Sequence, residues 1–135
     1  MNCTKHHVRS DSCAFHESGT SPITGRSARR KGHDFERAVA AKLARVFGCD
    51  KVHRGFQYRN GSDAPDVVCP GFWVECKRGR RTNSRAALRQ AVEDASGKGL
   101  WALAVCKDDR DDAYVVMTLD DFVDLLTEWH QLKIQ

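Results

Sequence analysis

From Ser27 to Phe47 apolar residues recur at spacings of three and four, through Phe35, Val39, Leu43 and Val46. That period predicts a helix, stopped by Gly48. The pattern then changes to short runs separated by turn signals. Val52 to Arg59 reads as a first strand with Phe56 and Tyr58 on one side, and residues 60–64 read as a loop. Two apolar runs follow, at about 66–69 and 72–77, with Pro70-Gly71 between them. Asn83 or Ser84 caps a second helix that runs to about Ala95, with the small residues Ala87, Ala91 and Ala95 on its inner side. Leu100 to Cys106 is continuously apolar, as in a strand buried on both faces. Tyr114 to Met117 is a last strand. Thr118 and Asp121 make a capping-box-like start to a final helix. Its Leu119, Phe122, Val123, Leu126 and Trp129 are expected to face inward. The order α-β-β-β-α-β-β-α describes an α/β fold, a mixed sheet flanked by helices, whose strand–helix–strand step is a right-handed parallel crossover.

The chemistry concentrates at the Pro-Gly hairpin. With Pro70 and Gly71 as the loop residues, Cys69 faces Phe72, Val68 faces Trp73 and Asp66 faces Glu75. Opposed side chains on an antiparallel pair lie about 5 Å apart, and like charges there are destabilising. A divalent cation between the two carboxylates is the simplest relief. Strand alternation puts Glu75 and Lys77 on one face, and Val74 and Cys76 on the other. Glu36 follows Phe35 at the rim of the first helix's apolar face, so its carboxylate leans toward the sheet. Read without chemistry, Asp66 is a turn residue after proline, and Glu75 with Lys77 is a solvated ion pair.

Charge favours the chemical reading. The net charge is +4, but Lys77, Arg78, Arg80, Arg81, Arg85 and Arg89 fall in one stretch without an acid. Arg29, Arg30 and Lys31 belong to a second basic cluster. Residues 108–128 carry eight acids against Arg110 alone. Basic blocks beside paired carboxylates point to a polyanionic substrate.

Length and composition bound the rest. The 135 residues, 41% apolar and 30% charged, suit one soluble domain. No run approaches the roughly 20 apolar residues of a membrane span, and no secretory signal is visible at the start, so a cytoplasmic protein with reduced cysteines is expected. Residues 1–25 read as a flexible arm and 26–135 as the folded domain. Cys3, His6, Cys13 and His16 could supply four zinc ligands by type, although the short connection and the competing His7 favour a plain tail.

These residues together resemble the PD-(D/E)XK nuclease superfamily, with its restriction-endonuclease-like fold. The resemblance covers about residues 28–117. It rests on Arg30-Lys31-Gly32 through Glu36, Gly61-Ser62 before Pro65-Asp66, Glu75-Cys76-Lys77, and Gln90. Within the superfamily the chain is most similar to archaeal-type Holliday junction resolvases and their small phage relatives. The resemblance implies that Asp66, Glu75 and the backbone carbonyl of Cys76 hold Mg²⁺, with Mn²⁺ as a substitute. Lys77 then orients the attacking water or stabilises charge. Glu36 is an accessory carboxylate, acting directly or through water, and Gln90 helps position the site. Ser62 and the basic residues named above would contact DNA. Asp94 stands where one nuclease branch carries a tyrosine, so that branch's motif is incomplete here.

The expected activity is Mg²⁺-dependent endodeoxyribonuclease action on branched DNA by a homodimer. Two alternatives remain open on sequence: a non-catalytic nucleic-acid-binding module on the same fold, and a restriction-type duplex nuclease. The opposed carboxylates speak against the first, and the small size leaves the second little room for a recognition domain.

Overall fold

The structure, a computed structural model, describes residues 25–56 and 64–135. The elements follow the expected order: α1 (Gly25–Phe47), β1 (His53–Arg54), β2 (Val67–Cys69), β3 (Phe72–Gly79), α2 (Ser84–Ala95), β4 (Trp101–Asp108), β5 (Tyr114–Val116) and α3 (Leu119–Ile134). The strands form one sheet in the order β1-β2-β3-β4-β5. β3 and β4 run parallel and the other neighbours antiparallel. No helix among the described residues is long and apolar enough to cross a membrane.

β3 divides the core because its side chains alternate. Val74 and Cys76 join Val67, Cys69 and Val105 beneath Phe35, Val39 and Ala40 of α1. On the opposite face Trp73 packs with Ala102 against Ala91 and Ala95 of α2, and Ala87 meets Ala104 and Cys106. Alanines line that side of α2 because the helix lies close to the sheet. Each fully buried valine contributes on the order of 1.5–3 kcal/mol, and Val67 and Val74 are completely enclosed. The capping alternatives resolve in favour of Asn83, whose Oδ1 accepts from the Ala86 amide at 3.0 Å.

The hairpin has the register counted from the sequence: Cys69 opposite Phe72, Val68 opposite Trp73, and Val67 opposite Val74. Gly71 has φ 82°, the left-handed conformation that a type II turn needs after proline.

Two expectations about individual elements are corrected. Where Val52–Arg59 was expected, the first strand among the described residues is His53–Arg54. Gly55 ends it, donating its amide to the Asp66 carbonyl at 2.8 Å, and Phe56 is 79% exposed. Tyr58, with the rest of 57–63, lies outside the described residues, as does 1–24, which holds the arm and the Cys3, His6, Cys13 and His16 set. The second correction is to α3. It forms from its Thr118 cap as expected, but buries none of its side chains. Leu119, Phe122, Val123, Leu126 and Trp129 are all substantially exposed. The helix starts beyond the edge strand β5, and α2 already covers that face of β3 and β4. Its apolar stripe therefore finds no sheet beneath it.

The β1–β2 contact sets a steric test. A Cβ at Gly55 would lie 1.8 Å from the Pro65 carbonyl oxygen. Gly55→Ala should destabilise the protein by about 1–3 kcal/mol, as overpacking does. Gly79→Ala, where a Cβ meets nothing within 4 Å, should cost much less. Urea unfolding of both variants measures the difference.

Candidate active site

Asp66 sits one residue before β2, where the hairpin ladder ends. Its amide donates to the Val74 carbonyl at 2.9 Å. Its Oδ2 accepts the Cys76 amide at 2.8 Å. The carboxylate thus reaches along β3 and takes a backbone donor beyond the last regular pair. Proline at position 65 fits this spot, because no ladder hydrogen bond is asked of it.

Glu75 lies on the α2 face of β3, between Trp73 and Lys77. Asp66 and Glu75 are each less than a tenth exposed. Trp73 donates its indole N–H to Glu75 Oε1 at 3.1 Å. Burial, then the Asp66 charge beside it, pushes the Glu75 carboxyl up to about 7, while the Trp73 hydrogen bond works in the opposite direction. A hydrogen bond between the Glu75 and Asp66 side chains adds to the rise. Burial beside a second carboxylate thus favours the protonated form of Glu75.

Cys76 points the other way, into the α1 core. Its thiol is held well above the usual range, first by burial and then by Asp66, Glu36 and Glu75. It is a packing group and no nucleophile.

Glu36 does lean toward the sheet, but it is engaged. Its Oε2 accepts from Arg54 Nε at 2.5 Å, and the two side chains are 15% and 32% exposed. Arg54 pairs with Val67 in the ladder, so the edge strand delivers a cation beside the carboxylates. Sequence reasoning missed Arg54, because a lone arginine in a short polar strand has no pattern. It also missed Trp73 as a partner of Glu75, although the i, i+2 relation on one strand face could have shown it.

Lys77 is exposed on the Glu75 face. With Arg81, Thr82, Asn83 and Gln90 it lines a cavity of about 400 Å³ between β3 and α2. Gln90 borders this cavity, with its amide nitrogen on Asp94 at 3.0 and 3.1 Å. Thr82 ties the intervening loop to Asp108, through its amide at 2.7 Å and its hydroxyl at 2.6 Å. That bond ties down the loop that carries Arg80 and Arg81, and together with a weaker coulombic pull from Arg81 it holds the Asp108 carboxyl below its ordinary value. Arg85 and Arg89 are exposed on α2, and Arg29, Arg30 and Lys31 on the first half of α1. Arg78 lines the same cavity and stands 3.8 Å from Asp109. Ser62 lies outside the described residues.

No set of three or more metal-ligating side chains converges among the described residues; the donor set is the Asp66–Glu75 pair. Magnesium is typically held by one or two carboxylates, with water and phosphate oxygens completing its octahedron. Two adjacent buried acids are a donor set that suits such a cation.

Residues 27–135 match the family model described as "Phage putative PDDEXK endonuclease". Among solved structures, the Holliday junction resolvase Hjc of Archaeoglobus fulgidus is similar at 21% identity and TM-score 0.49, over 64% of this chain and 76% of that one. No curated protein sequence matches the chain.

The site generates two predictions. Glu75 is more basic folded than its ordinary 4.5, at about 7. Its proton therefore stabilises the metal-free fold fully below about pH 4.5, and this contribution is lost as pH rises through 7. In EDTA, denaturant midpoints should fall from pH 5 to pH 8, and Glu75→Gln should flatten that slope. Separately, Arg54→Met strands a half-buried carboxylate and should cost about 1–3 kcal/mol. Adding Glu36→Gln to it should recover part of the loss, as a double-mutant cycle would record.

Proposed function

The chain belongs to the phage PDDEXK endonuclease family, and from that premise we propose that it is a divalent-metal-dependent endodeoxyribonuclease selective for branched DNA. The nuclease domain is residues 26–135. The observation that carries the reading is the buried Asp66–Glu75 pair with Lys77 on the same strand face. Simple DNA binding gives no reason to bury two adjacent acids, since their mutual repulsion is a cost without return.

Asp66 and Glu75 would hold Mg²⁺ or Mn²⁺, with the Cys76 carbonyl as a further ligand. When bound, the cation polarises the scissile phosphate and lowers the pKa of coordinated water. The chain's own groups do the positioning. The Cys76 amide fixes one oxygen of Asp66, and the Trp73 indole fixes one oxygen of Glu75. Lys77, two residues beyond Glu75, brings a point charge and proton donors to the same face. Its role is to orient the attacking water or to balance the charge that builds on the phosphate. Gln90 borders that cavity from α2. Glu36, paired with Arg54, is the accessory carboxylate, and Arg54 keeps its charge balanced until substrate arrives.

Arg78 and Arg81 line the cavity, and with Arg80, Arg85 and Arg89 they would grip flanking phosphates, which makes binding steeply salt-dependent. Arg29, Arg30, Lys31 and Ser62 are assigned to the same backbone contacts. Recognition by shape suits a small domain, and a four-way junction is the substrate that this reading favours. Resolving a junction takes two symmetric cuts, so the working form would be a homodimer. The compartment would be the cytoplasm, where DNA is available.

Purified protein incubated with labelled junction, flap and duplex DNAs, with Mg²⁺ or EDTA, tests the proposal. Paired symmetric nicks on the junction, absent in EDTA, are expected. Asp66→Asn and Glu75→Ala should lose cleavage by several orders of magnitude yet still shift the junction in a gel. Wild-type-like cutting by either variant would remove the assignment. Binding without cleavage of any substrate would favour the non-catalytic module, and duplex cutting at a fixed sequence would favour a restriction-type enzyme.

A further inference from the structure

Asp94 is an acid placed where its own helix does not favour one. It lies in the last turn of α2, which carries no basic residue in that turn, and a helix macrodipole disfavours negative charge there. The side chain is half-buried, and its charge is among those that raise the Glu75 carboxyl. Neither placement helps stability, so its use lies in what it touches.

It touches Gln90, one turn earlier. Gln90 Nε2 donates to Asp94 Oδ1 at 3.1 Å and to Oδ2 at 3.0 Å. A carboxylate offers acceptors only, so the nitrogen is the end of the amide that Asp94 selects. The oxygen is left as the end that Gln90 can offer to the cavity it borders. Lys77, Arg78 and Arg81 line that cavity, and all three are donors without an acceptor. The reverse flip would set an NH₂ group against those donors and a carbonyl oxygen against the Asp94 carboxylate.

Lys98 ties this turn of α2 to the carboxylate site. Its Nζ donates to the Asp94 carbonyl and stands 4.7 Å from the centre of the Trp73 ring, within cation–π range. Trp73 in turn gives its indole N–H to Glu75. The end of α2 that bears Asp94 is thereby held on the same side chain that holds Glu75.

We propose that Asp94 is a positioning residue, which fixes the Gln90 amide with its carbonyl oxygen turned to the Lys77 side of the cavity. Gln90 passes the acceptor on without charge, so Lys77 gains a partner and no third carboxylate enters beside Asp66 and Glu75. What this does for cleavage rests on the nuclease reading; the orientation of the amide does not.

Asp94→Asn separates this role from a plain i, i+4 surface contact. Asparagine still accepts from Gln90, but it also donates, and so no longer chooses which end of the amide it meets. It removes the charge that the helix dipole opposes, so the variant should fold. On whichever labelled DNA the wild type cuts with Mg²⁺, Asp94→Asn should slow single-turnover cleavage roughly 10-fold, as a misplaced group does, with DNA affinity unchanged. Gln90→Met should slow it by a similar factor, and Asp94→Asn added to Gln90→Met should cost nothing more. Full-rate cleavage by Asp94→Asn, or losses that multiply in the double variant, overturns the proposal. A second readout needs no cleavage. In EDTA, the side-chain amide resonances that vanish in Gln90→Met should include one proton shifted downfield of those of Gln131 on exposed α3, and Asp94→Ala should abolish that shift. A wild-type Gln90 amide indistinguishable from that of Gln131 overturns the proposal. If the wild type cuts no DNA, the nuclease reading fails, and the amide resonances still decide the orientation.

Discussion

Two carboxylates placed side by side in a buried site are the constraint on which the rest of this structure depends. Asp66 and Glu75 would repel each other in any arrangement that left both ionised and dry. The structure holds them with specific donors, the Cys76 amide on Asp66 and the Trp73 indole on Glu75. The remaining conflict raises the Glu75 carboxyl to about 7. A fold under selection for stability alone would put apolar groups here. Keeping the acids is what the proposed cation site would require.

The sheet exists in the form that this pair needs. β3 carries apolar residues toward α1 and functional residues toward α2, so one strand serves as both core and site. The parallel β3–β4 pairing extends from Phe72 to Gly79 and anchors that strand along its full length. The bond from Thr82 to Asp108 then carries the order onward into the arginine-bearing loop. Rigidity therefore runs from the core to the cavity mouth, as positioning to a fraction of an ångström demands. α3 contributes nothing to this frame. Among the described residues it is the one long element whose apolar side chains remain outside the core.

Much of this was legible along the chain, because the signals are local. The 3.6-residue period gave α1 and α2, the Pro-Gly turn gave the hairpin, and two-residue alternation gave the faces of Glu75, Lys77, Val74 and Cys76. Asn83 and Thr118 announced their helices through capping chemistry. The hairpin register follows from loop length alone, and so residue spacing is enough to bring Asp66 and Glu75 together. α3 failed for a reason of the same kind: periodicity reports that a helix has an apolar side, but is silent on what covers it.

By itself, then, the sequence determined the order of elements, the hairpin register and the adjacency of the two acids, since each depends on residues close together in the chain. Only the tertiary structure decided what surrounds them. It brought Arg54 from β1 to Glu36 on α1, set Gln90 and Lys77 around one cavity, and left the stripe of α3 uncovered among the described residues. Those outcomes follow from how helices and strand edges pack across the sheet, and no spacing within a single segment encodes that.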